Sequence, residues 1–167
     1  MTEAFVIEIF ELRILTLSGV EMNKLVNSLV ILGLIFGAST VVAAAPKADS
    51  KTEARDSLAL ASANSWMALV DKKQYKQSWE EAAGFFKSKV SSREWEQTVE
   101  AVRSPFGALV SRKLKSKTYT KALPGAPEGE YVVIQYEAQY KNRKNVTETV
   151  TPMLDESVWR VSGYFAK

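Results

Sequence analysis

Two residue types that carry much of protein chemistry are missing from this sequence. The 167-residue chain has neither histidine nor cysteine, which removes the usual general base, the serine triad, thiol nucleophiles and the commonest zinc ligands. No cofactor and no metal site is expected, and any catalysis would rest on Asp, Glu, Tyr, Lys or Ser/Thr. Glu148 is the most informative of these. It alternates with Val150, while Thr147, Thr149 and Thr151 face the other way. Pointing into an apolar cavity beside Tyr136 or Tyr140, it could act as a base or a polar anchor; pairing across strands with a lysine is its plainer role. With Trp66 and Trp159, these residues form the candidate ligand-binding set: Trp66, Tyr136, Tyr140, Glu148 and Trp159. Aromatics at helical spacing more often build a core than line a pocket.

Basic residues offer a second kind of site. Lys113, Lys115 and Lys117 alternate, so on a regular strand they share one face, with Arg112 and Lys121 nearby. Arg112, Lys113, Lys115 and Lys117 form the candidate anion-binding surface, suited to phospholipid headgroups or acidic glycans; lysines also keep exposed sheet faces and edges soluble. Arg103, in Arg103-Ser104-Pro105-Phe106-Gly107, fits two readings. It could sit at a pocket mouth and hold a carboxylate or phosphate, or it could close a helix, with Arg on the last carbonyls, Pro as breaker and Gly as bend.

These residues need a scaffold, and the chain divides before it supplies one. Residues 1–21 carry Glu3, Glu8, Glu11 and Glu21 where a leader should be basic, so they read as an extension from a start assigned too early, with Met22 the true initiator. Residues 22–44 have Lys24, an apolar run from Leu25 to Val42 and small residues after it, the three-part layout of a secretory signal cut after Ala44. An uncleaved anchor is the rival reading, since about 18 apolar residues is the lower limit for a membrane span; cleavage would leave no permanent anchor. Residues 45–53 read as a flexible tether and 54–167 as a single domain. The whole chain is +3. Without the leader's Arg13, Lys24 and four glutamates the mature part is about +5, a mild bias toward anionic partners and too little for nucleic acid.

Within the domain, Ala59, Ala63, Trp66 and Val70 predict a helix over 52–70, and Asp71-Lys72-Lys73 breaks it. Tyr75, Trp79, Ala82 and Phe86 predict a second over 75–87. Ser91 and Glu94 form a capping box opening a third, which Pro105 ends. The period then changes to two. Strands are predicted over 109–121, 131–141, 146–153 and 158–166, with a turn-rich connector at 123–129. The fold class is therefore α+β: three N-terminal helices packed on a curved four-stranded antiparallel sheet, an order similar to cystatin-like and NTF2-like domains.

Several segments carry a closer likeness: Ser65-Trp66 with Leu69-Val70-Asp71, Ser78-Trp79, Arg103 to Gly107, Pro124 to Val132, Glu148 to Pro152 and Trp159 to Phe165. On these the chain resembles the domain of unknown function 4019 family of exported bacterial proteins. That resemblance implies export and an α+β domain, and it brings no catalytic residues with it. The expected function is an exported, non-enzymatic binding or interaction module, acting through an aromatic cavity or the basic sheet face. Its partner would be a small apolar ligand or an anionic envelope component, with a homodimer through the sheet a further option. The alternative is an isomerase or dehydratase using a buried carboxylate and a tyrosine.

Overall fold

The computed structural model describes residues 50–167; the readings for residues 1–49, including the signal segment, lie outside it. The helices come first: α1 (Ser50–Asp71), α2 (Tyr75–Glu81), α3 (Gly84–Lys89) and α4 (Ser92–Arg103), then a single 3-10 turn at Ser104–Phe106. Four strands follow as an antiparallel meander in the order β1 (Leu109–Thr120), β2 (Tyr131–Tyr140), β3 (Val146–Asp155) and β4 (Val158–Ala166). The domain is α+β, helices packed with a four-stranded antiparallel sheet. Among the described residues no helix is long and apolar enough to cross a membrane.

The helix predicted over 75–87 is two helices. Ala82 and Ala83 are extended and fully buried. Tertiary bonds outweigh the local helical preference there: the Ala83 N–H donates to the Val161 carbonyl of β4 at 2.9 Å, and the Gly84 N–H donates to the Asp155 carboxylate at 2.8 Å. The apolar spacing of 75–87 survives the break, because Phe86 still enters the core. At α4 the capping box forms as predicted, with the Ser91 hydroxyl accepting from the Glu94 N–H and the Glu94 carboxylate accepting from the Ser91 N–H. Pro105 and Gly107 end the helical region; Gly107 has φ 77°, and a Cβ there would stand 2.9 Å from the Asn142 side chain.

The core lies between the helices and the inner sheet face. The rings of Trp66, Phe86, Trp95 and Tyr164 meet at centroid distances of 5.2–6.4 Å. Ser78 ties two of them together: its carbonyl accepts the Trp66 indole N–H at 2.7 Å, and its hydroxyl accepts the Trp95 indole N–H at 2.9 Å. Val132, Ile134, Tyr136 and Val150 close this core from the sheet side.

Strand β1 departs from simple alternation. Its twelve residues face the ten of β2, with register shifts between Leu109 and Ser111 and between Leu114 and Ser116. Each extra residue is a bulge, and a bulge resets which side chains point inward. Arg112, Leu114, Lys117 and Tyr119 oppose Ala138, Tyr136, Ile134 and Val132, whereas Lys113 opposes Glu137.

Candidate functional site

The bulge at Lys115 breaks up the lysine stripe. Lys113, Lys115 and Lys117 do not share a face: Lys115 pairs with Glu137 on the outer side at 3.4 Å, and Lys117 turns inward to Asp56 of α1 at 3.3 Å. Arg112 leaves the group altogether and runs into the interior. An unbroken pleat would have kept the three lysines together; the extra residue in β1 separates Lys117 from the others.

What Arg112 enters is a buried charge cluster assembled from both layers. Asp71 ends α1, Arg103 ends α4, Arg112 comes from β1, Tyr140 from β2, Glu148 from β3 and Tyr164 from β4. Arg112 donates from Nε to Glu148 Oε2 at 2.6 Å and from Nη1 to Asp71 Oδ2 at 2.7 Å. Arg103 donates from Nη2 to Asp71 Oδ1 at 2.6 Å and to the Tyr140 hydroxyl at 2.8 Å. Glu148 is completely buried, and its Oε1 also accepts from the hydroxyls of Tyr140 at 2.7 Å and Tyr164 at 2.8 Å. Arg103 Nη1, 3.8 Å from Glu148 Oε1, is buried without a hydrogen bond.

The predicted Glu148–lysine pair is thus replaced by an arginine and two tyrosines. A guanidinium keeps its charge when buried and offers fixed forked donors, which an ammonium does not. Arg103 likewise does more than close its helix, since its guanidinium holds the protein's own Asp71. Burial pushes the Asp71 carboxyl up, but the hydrogen bonds and charges of Arg112 and Arg103 outweigh that and hold it below its ordinary value. Burial, with the neighbouring Glu148 charge and hydrogen bond, raises the hydroxyls of Tyr140 and Tyr164. Two arginines face two carboxylates, so the cluster balances.

The five residues selected as ligand-binding fall in two places. Tyr140 and Glu148 belong to the charge cluster, and Tyr136, its hydroxyl donating to Asn64 Oδ1 at 2.7 Å and raised to about 12 by burial, lies in the core nearby. Trp66 and Trp159 meet elsewhere, in a groove of about 320 Å³ between α1 and β4 that is also lined by Ser62, Ser65, Glu81, Arg160 and Val161. The Ser62 hydroxyl donates to the Trp159 carbonyl at 2.7 Å and fixes the helix over the strand. Three of the four tryptophans donate their indole N–H to protein acceptors: Trp66 and Trp95 to Ser78, Trp79 to the Val90 carbonyl. Among the described residues, Trp159 Nε1 has no protein acceptor and stays open to solvent, whereas Arg160 alternates with Trp159 and Val161, opposes Met153 and extends from the other face of β4. A second, more open hollow of about 530 Å³ beside Tyr75 is walled by solvated side chains such as Lys73, Lys76, Glu80 and Glu96. No group of three or more Asp and Glu among the described residues could hold a metal ion.

Sequence reasoning missed Asp71, Tyr164, Ser62, Ser65 and Glu81 as site residues. Asp71 reads as a helix breaker and Tyr164 as one residue of the last strand, and nothing local marks the first as an arginine partner or the second as a partner of Glu148.

The model of the family described as protein of unknown function (DUF4019) matches residues 62–164. The chain belongs to the DUF4019 family. The matched region runs from Ser62 in α1 to Tyr164 in β4, so it takes in both the groove and the charge cluster of this DUF4019 domain. No curated protein matches the chain.

Proposed function

We propose that this DUF4019 protein is an exported, non-enzymatic binding module whose site is the α1–β4 groove. The observation that carries the binding part is the half-buried Trp159, its indole N–H without a protein acceptor among the described residues, at a groove large enough for a small ligand. The indoles of Trp66, Trp79 and Trp95 bond within the protein, which leaves Trp159 the indole N–H open to an outside acceptor among the described residues. Export rests on the basic, apolar and small-residue segments over residues 22–44. The helices-then-meander order also supports a cystatin-like or NTF2-like plan, here with Trp66, Phe86, Trp95 and Tyr164 filling the space between the layers.

The basic-surface version of this function loses its footing with the splitting of Lys113, Lys115 and Lys117. The enzymatic alternative has its buried carboxylate beside tyrosine hydroxyls. However, both oxygens of Glu148 are engaged and the residue has no exposed surface, so a substrate would first have to displace Arg112.

Native mass spectrometry of the protein taken from its host's envelope tests the reading. A chain beginning at Ala45, with a discrete adduct that is lost on denaturation and absent from Ser65→Trp, is the expected result. Ser65 is exposed, so that substitution fills the groove without disturbing the core. A bare mass for the unaltered protein would overturn the small-molecule site, and a chain retaining residues 22–44 would overturn cleavage.

A further inference from the structure

Granted that the α1–β4 groove is a binding site, its side chains select the charge of the ligand. Arg160 extends from the other face of β4, which leaves Glu81 as the one charged side chain facing the groove among the described residues. Its carboxylate enters no ion pair there; Oε1 accepts from the neutral amide of Gln77, one turn earlier in α2, at 2.9 Å. The serines add acceptors. Ser62, its proton committed to the Trp159 carbonyl, can only accept, and Ser65 can accept or donate. The one group that can only donate is Trp159 Nε1. Trp66 and Val161 are 3% and 1% exposed and offer little surface, so the half-buried Trp159 supplies most of the apolar lining. An indole ring attracts a cation through its quadrupole, which adds to the preference set by Glu81.

An anion would be repelled by Glu81 with no cation in the lining to offset it, and an oily ligand would cover the carboxylate without pairing it. A primary ammonium suits the lining: its N–H groups can reach Glu81 and the serine oxygens, and its charge suits the Trp159 ring. Trp159 Nε1 then calls for an acceptor on the same ligand. We infer that the groove binds a small organic cation, a primary ammonium with a hydroxyl or carbonyl oxygen beside it, the ammonium pairing with Glu81 and the oxygen accepting from Trp159 Nε1.

Ethanolamine has this pattern; ethylamine lacks the oxygen, ethylene glycol lacks the charge, and glycolate reverses it. The indole N–H resonances of the 15N-labelled protein report binding at constant ionic strength, with Trp159→Phe assigning the Trp159 signal. The expected result is a saturable shift of the Trp159 resonance at roughly millimolar ethanolamine, weaker binding of ethylamine, and no shift with ethylene glycol or glycolate in that range. Trp66, Trp79 and Trp95, bonded internally, should stay in place. Glu81 is exposed at the end of α2, so Glu81→Gln removes the charge without disturbing the core. It should weaken ethanolamine binding about tenfold, equivalent to about 1.4 kcal/mol, and Ser65→Trp should abolish it. A Trp159 shift with glycol or glycolate as large as that with ethanolamine, or a Glu81→Gln protein that binds like the parent, would keep the groove as a site and overturn the cation. A resonance unmoved by every probe also overturns the cation, and the adduct experiment then decides the groove by itself.

Discussion

Replacing Glu148 with Gln is the sharpest test of the view that the charge cluster holds the two layers together. In the native protein Arg103 and Arg112 are balanced by Asp71 and Glu148, with side-chain exposures of 7%, 13%, 22% and 0%. Glutamine keeps the shape but removes one negative charge, leaving an excess positive charge at two guanidiniums that water barely reaches. Its amide also sets a donor against a donor at either Arg112 Nε or the tyrosine hydroxyls. A charge pair about 4 Å apart at an effective dielectric constant of 20 is worth about 4 kcal/mol, and breaking one side of a buried pair costs about 3–5 kcal/mol. The two routes agree. The loss should therefore consume from about a quarter to most of a typical stability of about 5–15 kcal/mol. Urea unfolding at neutral pH should show a lower midpoint with an unchanged slope, because the buried surface is unaltered. In a double-mutant cycle, Arg112→Met with Glu148→Met should lose less than the two single changes added together, by about 2 kcal/mol. A Glu148→Gln protein within about 1 kcal/mol of the parent, or a strictly additive cycle, would refute the reasoning.

Three further outcomes follow from the same geometry. Asp71 titrates below its ordinary value in the folded state, so its contribution is complete above pH 3.8 and is lost as pH falls below that value through the folded one; Asp71→Asn should flatten this acid limb of the unfolding profile. Tyr136 is raised to about 12, with Tyr140 and Tyr164 raised as well, so their contribution is present below pH 10 and is lost as pH rises beyond it. Phenolate absorbance should then appear together with loss of the near-ultraviolet circular dichroism of the core. At the β3–β4 turn Glu156 and Ser157 both have positive φ, 49° and 72°, which suits Asn-Gly far better than Glu-Ser. Glu156→Asn with Ser157→Gly should raise stability by about 1 kcal/mol in the same urea assay, and a decrease would show that these side chains contribute something the backbone argument omits.

Local signals made most of the fold legible. Ser91 and Glu94 mark the start of α4 because a capping box is satisfied within four residues, and Pro105 with Gly107 mark its end by backbone sterics. The change from a 3.6-residue to a two-residue period after Gly107 places four strands within two residues of where they lie. The break at Ala82-Ala83 was not legible, since both alanines favour helix and the acceptor that draws the Ala83 N–H away is Val161, far along the chain.

For the site, sequence by itself determined the available chemistry: with no His or Cys, the groups that could meet were arginine, lysine, carboxylate, amide, hydroxyl and indole, and Trp66, Trp159, Glu148 and the tyrosines were singled out from those. Tertiary structure alone decided who met whom. Two bulges in β1 set Arg112 and Lys117 on the helix side, opposite Ala138 and Ile134, and an alternating pattern does not announce an extra residue. The Glu148 partners lie on three different strands, and Asp71 and Arg103 stand at the ends of two separate helices. The reason is physical: hydrogen bonds along the chain are set by neighbours that sequence displays, whereas a charge is neutralised by whatever the packing of distant elements brings within about 3 Å.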